Sequence, residues 1–194
     1  WPDGGPLNAL VKIARESANP AHAVLALRGY VRLIGLDTSR APEESATMYD
    51  EAMNLAKSAD DKKAVLSGLS NTTNIAALRI AAKYLDDETL KAEAEVAAVK
   101  IAKGVAGNYP QEVKTILDGI VKTSQNEFAV NQAKEILACV DQLEEYLTAW
   151  QAAGPYTKEN VSPSKLLDEV FPPETQDASG VEWRPIPVGT NPKM

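Results

Sequence analysis

A chain of 194 residues, 44% hydrophobic and 24% charged, can bury a sizeable core and fits one domain plus a fragment, or one elongated domain. Its net charge of −7 removes the global basic face that phosphate-dominated nucleic-acid binding requires, and with it a polybasic role at a membrane surface. No apolar run approaches the roughly 20 residues of a membrane span. The single cysteine, Cys139, lies in the apolar run from Ile136 to Val140; it permits no intrachain disulfide and reads as a small buried core residue. The chain opens at Trp1 without a recognisable leader and is read as a segment of a longer or processed protein.

Helices recur in pairs. The first covers Pro6 to about Ala18, with Leu7, Leu10, Val11 and Ala14 on one face. Asn19-Pro20 supplies an N-cap and a proline at the first helical position of the second helix. That helix runs to about Leu36, with Val24, Leu27, Val31 and Ile34 as its stripe and Gly35 at its exit. A second pair opens after Pro42 with Ala46, Tyr49, Met53 and Ala56; Asp60 is expected to cap a short partner carrying Val65, Leu66 and Leu69. In the third pair Thr73 is expected to cap a helix with Ile75, Leu78, Ala82 and Leu85. Asp86-Asp87 then break the pattern, and Leu90, Ala94, Ala97, Ala98 and Ile101 follow until Gly104 and Gly107 close the helix. The fourth pair begins near Tyr109-Pro110, with Val113, Ile116, Leu117, Ile120 and Val121. Ser124 and Glu127 have capping-box spacing. The last helix carries Ile136, Val140, Leu143, Leu147 and Trp150, and is expected to end at Gly154, where Pro155 prevents continuation.

The four pairs begin near residues 6, 43, 73 and 109, spacings of about 37, 30 and 36, a period that belongs to two-helix solenoids. No such helix buries its stripe alone, so stacking neighbours builds one continuous core. The expected fold is all-α: a right-handed α-α superhelix of about four helical hairpins over residues 1–154, with an irregular proline-rich tail over 155–194. A simple helix bundle is the competing arrangement.

The stretch LRIAAKYLDDETLKAEAEVAAVKIAKGV resembles a HEAT-type repeat, which pairs a leucine-bearing helix, an aspartate turn and an alanine-rich helix. Leu78 and Leu85 match the first part, Asp86-Asp87 the turn, and Ala94, Ala97, Ala98 and Ile101 the second helix; Lys91 replaces the arginine frequent after the turn. The resemblance covers roughly residues 6 to 150 and implies a scaffold or binding surface without chemistry. In such stacks the second helix of each pair lines the concave side, so the resemblance implies that Arg28, Arg32, Lys62, Lys63 and Lys91 face one groove suited to an anionic ligand or acidic partner. The bland reading of those cations is a solvated face with ion pairs. A narrower resemblance rests on ALRGYVRLIGL, DDKKAVLSGL, WQAAGPYT, FPPE and VEWRPI. These look similar to bacterial surface or periplasmic proteins in which a HEAT-like module precedes a β-rich, jelly-roll-like or three-keto-glycoside hydrolase-like domain. That resemblance implies a periplasmic or secreted location and a carbohydrate association through the parent protein, with any active site outside this segment.

The tail holds seven prolines from Pro155 to Pro192, with Tyr156, Phe171 and Trp183 among them. Aromatic content of this kind argues for docking rather than free disorder. A short helix is expected over Ser164–Val170 and a brief edge strand over Val181–Arg184. Residues 155 to about 175 are expected to dock, residues beyond 185 to be loose, and the tail as a whole to be the edge of a following β-rich domain. Trp150, Tyr156, Phe171 and Trp183 are read as packing the helix–tail junction, against the alternative of an aromatic platform for a sugar ring.

Nothing in the sequence names a reaction. His22, the only histidine, has no partner spacing for a triad or a zinc site. The pairs Glu43-Glu44, Asp60-Asp61, Asp86-Asp87 and Glu144-Glu145 tempt a glycosidase reading, but three of them sit at helix starts, where caps and the helix dipole explain them. No calcium loop and no phosphate-binding loop occurs. The expectation is a non-catalytic interaction or scaffold module without metal or cofactor, binding a protein partner or a neighbouring domain; the alternative is an accessory part of a carbohydrate-active extracytoplasmic enzyme.

Overall fold

A computed structural model of the chain describes residues 5–37, 40–143, 151–159, 161–175 and 181–186. Its body is eight α-helices: α1 (Leu7–Glu16), α2 (Pro20–Leu36), α3 (Pro42–Leu55), α4 (Ala59–Leu69), α5 (Ile75–Ala82), α6 (Lys91–Val105), α7 (Pro110–Thr123) and α8 (Glu127–Leu143). Proline occupies the first position of α2, α3 and α7, where its missing N–H leaves no intrahelical bond unmade. Asn19 caps α2 as expected, its side chain accepting from the Ala21 N–H at 2.9 Å.

Three caps fall one or two residues from their expected places, because a capping oxygen must reach an N–H two or three residues ahead. Ser58, not Asp60, caps α4, accepting from the Asp61 N–H at 3.1 Å. Asn74, not Thr73, caps α5. Thr73 instead lies against α6: a Cβ built on Gly104 would come within 2.6 Å of the Thr73 Cγ2 methyl. Gly104 is therefore a site of close approach inside α6 and not its terminator. The Ser124–Glu127 box does not form. Asn126 Oδ1 accepts from the Ala129 N–H at 3.3 Å, while Ser124 Oγ turns to Glu95 of α6. α5 ends at Ala82, short of the expected Leu85, and Asp87 lies in the turn that follows, its Oδ1 accepting from the Thr89 hydroxyl and from the N–H groups of Thr89 and Leu90 just ahead of α6.

The helices form four hairpins: α1 with α2, α3 with α4, α5 with α6 and α7 with α8. First helices begin at residues 7, 42, 75 and 110. The even-numbered helices pack in a row, α2 on α4, α4 on α6 and α6 on α8, while α1 packs on α3 and α3 on α5. Every extensive helix contact lies within one hairpin or between consecutive ones. The core runs through all four, from Leu7 to Val140. The α2 face is wider than its expected stripe: Ala23, Ala26, Tyr30 and Leu33 are buried, because α2 meets α1, α3 and α4 together. Cys139 is half-buried, not a core residue, since it lies one position before the inward Val140 on the last helix of the row.

The final helix does not reach Gly154. Gln151 and Ala152 are already extended (β1) and pair antiparallel with Arg184 and Pro185 (β2), Gln151 opposite Pro185 and Ala152 opposite Arg184. Gly154 has φ +117°, a conformation that side chains resist, and turns the chain out of β1. Leu147 and Trp150 of the expected seam lie outside the described residues, as do Glu144-Glu145 and Thr190–Met194. Between the strands, Pro163–Asp168 and Pro172–Glu174 form 3-10 helices, the first over most of the stretch expected to be a short helix.

Candidate functional site

All five cations expected to share a groove lie on even-numbered helices, but most are engaged by the neighbouring hairpin. Arg28 of α2 donates to Asp61 Oδ1 at 3.2–3.3 Å, and Asp61 is only 3% exposed. Asp61 also accepts from the Ser58 hydroxyl at 2.6 Å, so a buried carboxylate is matched by a charge and a hydroxyl. Lys63 pairs with Glu93 of α6 at 3.3 Å. Lys91 donates to the Thr123 carbonyl at the end of α7, and the Asp87 carboxyl is held below its usual range by hydrogen bonds from Thr89 chiefly and in lesser part by the charge of Lys62. Arg32 is exposed and has no ion pair among the described residues.

These contacts belong to a wider set. Arg15 binds Glu51, Asn74 binds Glu43, Lys83 binds Asp50, Arg79 binds Glu112, Lys100 binds Asn71, and Ser124 binds Glu95. Each joins one hairpin to the next, and the partners are 29 to 36 residues apart in sequence. Arg79 grips Glu112 with two nitrogens, at 2.7 and 2.9 Å, which holds the Glu112 carboxyl below its usual range.

A hollow of about 690 Å3 opens on the side of α4, α6 and the start of α8. Helix geometry dictates its central wall: Glu93, Val96, Lys100 and Lys103 recur at three- and four-residue steps, so they share one face of α6. Leu66 and Val99 lie at its floor, and Phe128 of α8, 58% exposed, stands at its edge. None of the five cations expected in a groove lines it. The sequence held the signal, since Glu93, Val96, Lys100 and Lys103 form a mixed stripe beside the Ala94–Ile101 core stripe, and an apolar search passes over it. Two carboxylate oxygens nearby, Glu93 Oε2 and Glu95 Oε1, are buried without a hydrogen-bond partner among the described residues. Arg28 and Asp61 line a smaller hollow of about 290 Å3 between α2 and α4.

Of the four aromatic residues expected at the junction, Tyr156, Phe171 and Trp183 lie among the described residues. Tyr156 and Phe171 stack with ring centroids 5.2 Å apart. Trp183 lies elsewhere, in a hollow of about 590 Å3 with Tyr109, Asn74 and Asn108, and is 46% exposed. The tie between tail and body is also elsewhere than expected. Asn108 donates to the Ile186 carbonyl at 2.8 Å, while Leu167 and Val170 in the stretch expected to dock are 90% and 72% exposed.

His22 is exposed, and no group of three histidine, cysteine or acidic side chains among the described residues is placed to hold a metal ion. No helix among the described residues is long and apolar enough to cross a membrane. Comparison with protein families, curated proteins and solved structures finds no match.

Proposed function

We propose that the chain is a non-catalytic helical-repeat interaction module, an α-α superhelix of four HEAT-like hairpins that binds a protein partner or a neighbouring domain of its parent chain. The observation that supports it best is the order of contacts. Each hairpin packs on its neighbours, and polar links recur at 29 to 36 residues along the series. A series of this kind leaves a long face open to a partner. Cross-linking the full chain in extracts of its source cells tests the reading. A protein partner recovered in stoichiometric amount is the expected result. Recovery of none, or turnover of a small molecule by the purified chain, overturns it.

A second reading has its own observation. Leu167, Val170 and Trp183 leave apolar surface uncovered on the tail, which suits a following domain in a carbohydrate-directed parent protein. In that case a longer piece of the parent chain buries these three side chains, and oligosaccharides raise the melting temperature of the longer piece but not of residues 1–194.

A further inference from the structure

We infer that the hollow between α4, α6 and α8 takes an acidic, amphipathic peptide segment of a partner protein. One large apolar side chain of the peptide lies against Phe128 and Val96, and its carboxylates face Lys100 and Lys103. The inference rests on the interaction-module reading and names the chemistry of the partner.

Charge complementarity selects this occupant. Glu93 is the only acid in the lining, and Lys63, outside the hollow, already pairs with it. Among the described residues Lys100 donates only to neutral oxygens, Asn71 Oδ1 at 3.0 Å and Ser70 Oγ at 3.5 Å. Lys103 is exposed and has no ion pair among the described residues. Among the described residues the hollow therefore carries two positive charges without an ion pair, in a chain of net charge −7. The two lysines stand three residues apart on α6, about 5–6 Å between their Cβ atoms, a like-charged pair that anions relieve. Carboxylates one helical turn apart on a peptide have the same spacing. A carboxylate alone does not explain Phe128, which projects from the first turn of α8 over an apolar floor. A partner with charge on one face and a large apolar side chain beside it uses both features, the helix-in-groove mode of peptide recognition. The hollow, about 690 Å3, admits a few side chains and not a folded domain.

The test is fluorescence anisotropy on the full chain. The probe is a fluorescein-labelled peptide of about fourteen residues, roughly four helical turns, with leucine and phenylalanine on one face and glutamate along its border. The same peptide with glutamine for glutamate is the comparison. The glutamate peptide is expected to bind, with affinity falling as salt rises, and the glutamine peptide to bind about ten-fold or more weakly. Lys103→Glu and Phe128→Ala, both on exposed side chains, are each expected to weaken the glutamate peptide about ten-fold. Lys12→Glu, on exposed α1, is expected to leave it unchanged, and circular dichroism melts confirm that each variant is folded. No binding, equal binding of the two peptides, or affinity indifferent to both groove variants overturns the inference. A concentration-dependent dimer that Lys103→Glu abolishes overturns it in favour of a second copy of this chain. If a cross-linked partner binds wild type and the Lys103→Glu, Phe128→Ala double variant equally, the module reading stands and the groove assignment alone is overturned.

Discussion

Tyr49 sets the tolerance of the core at the scale of single residues. Its ring is fully buried on α3, where desolvation raises the phenol's pKa. A Cβ built on Gly68 of α4 would stand 2.9 Å from the ring carbon Cε1 and 3.1 Å from Val31 Cγ1 of α2. Gly68 is thus the window through which three helices meet. Gly68→Ala is expected to destabilise the fold by about 1–3 kcal/mol, overpacking outweighing the gain in helix propensity. Gly119 in α7 has nothing within 4 Å of the same position. Gly119→Ala is expected to stabilise by about 0.5–1 kcal/mol. Urea titration of both variants checks the opposite signs. The pH profile follows from other residues. Burial, and then Glu51 beside it, raises the pKa of the Tyr30 phenol above its ordinary value of 10.0. A group raised on folding contributes stability that is fully present below its unfolded pKa and is lost as pH climbs past it. The melting temperature is therefore expected to fall above about pH 10. Tyr30→Phe should shrink that fall, with Tyr49 supplying the remainder. Asp87 and Glu112 run the other way: the Thr89 hydroxyl lowers the first and Arg79 the second. Their contribution is present at neutral pH and disappears as pH drops through and below the carboxylate range.

Among the elements, α6 is the hinge of the packing, since it meets α4, α5, α7 and α8. That burden explains its alanines: Ala94, Ala97, Ala98 and Ala102 are buried because four neighbours approach closely. It also explains how Glu95, 2% exposed, is tolerated, with Ser124 Oγ donating to its Oε2 at 2.7 Å. Ser124→Ala leaves both oxygens of a buried carboxylate without a side-chain donor. It is expected to destabilise by about 1–3 kcal/mol, more than an exposed serine at a helix end would, as thermal denaturation can measure. The helices themselves were legible, because apolar steps of three and four and prolines at first turns are local signals. The caps at Ser58, Asn74 and Asn126 were not, since several polar residues cluster at each start and only the backbone angle decides which oxygen reaches the N–H. The α6 stripe of Glu93, Val96, Lys100 and Lys103 could be read from the sequence, but the groove could not, because it needs Phe128 of α8 beside that stripe, a fact of tertiary packing. The end of α8 was misread because Gln151 and Ala152 carry no strand signal of their own; their partner, Arg184-Pro185, lies far along the chain.

For the whole molecule, the order of contacts makes a demand that a closed bundle does not. If hairpins lean only on their neighbours, removing the first should leave the rest a folded series. A chain lacking residues 1–40 is expected to keep its helical signal per residue and a cooperative, lower-temperature melt, as circular dichroism can follow. Collapse to a non-cooperative state would point to one indivisible core. The starts of α1, α3, α5 and α7 were legible to within two residues because a proline or a capping residue marks each one locally. The placement of the tail was not, because among the described residues it meets the body through contacts distant in sequence, such as Asn108 donating to the carbonyl of Ile186.

The polar links between consecutive hairpins bear on how far a local injury should be felt. Arg28 and Asp61 join the first hairpin to the second, and Ser124 and Glu95 join the third to the fourth, with no residue shared. The losses from Arg28→Ala and Ser124→Ala should therefore sum in the double variant to within about 0.3–0.5 kcal/mol. Damage at one end would stay at that end, and the chain would behave as a row of units that each answer only to the next.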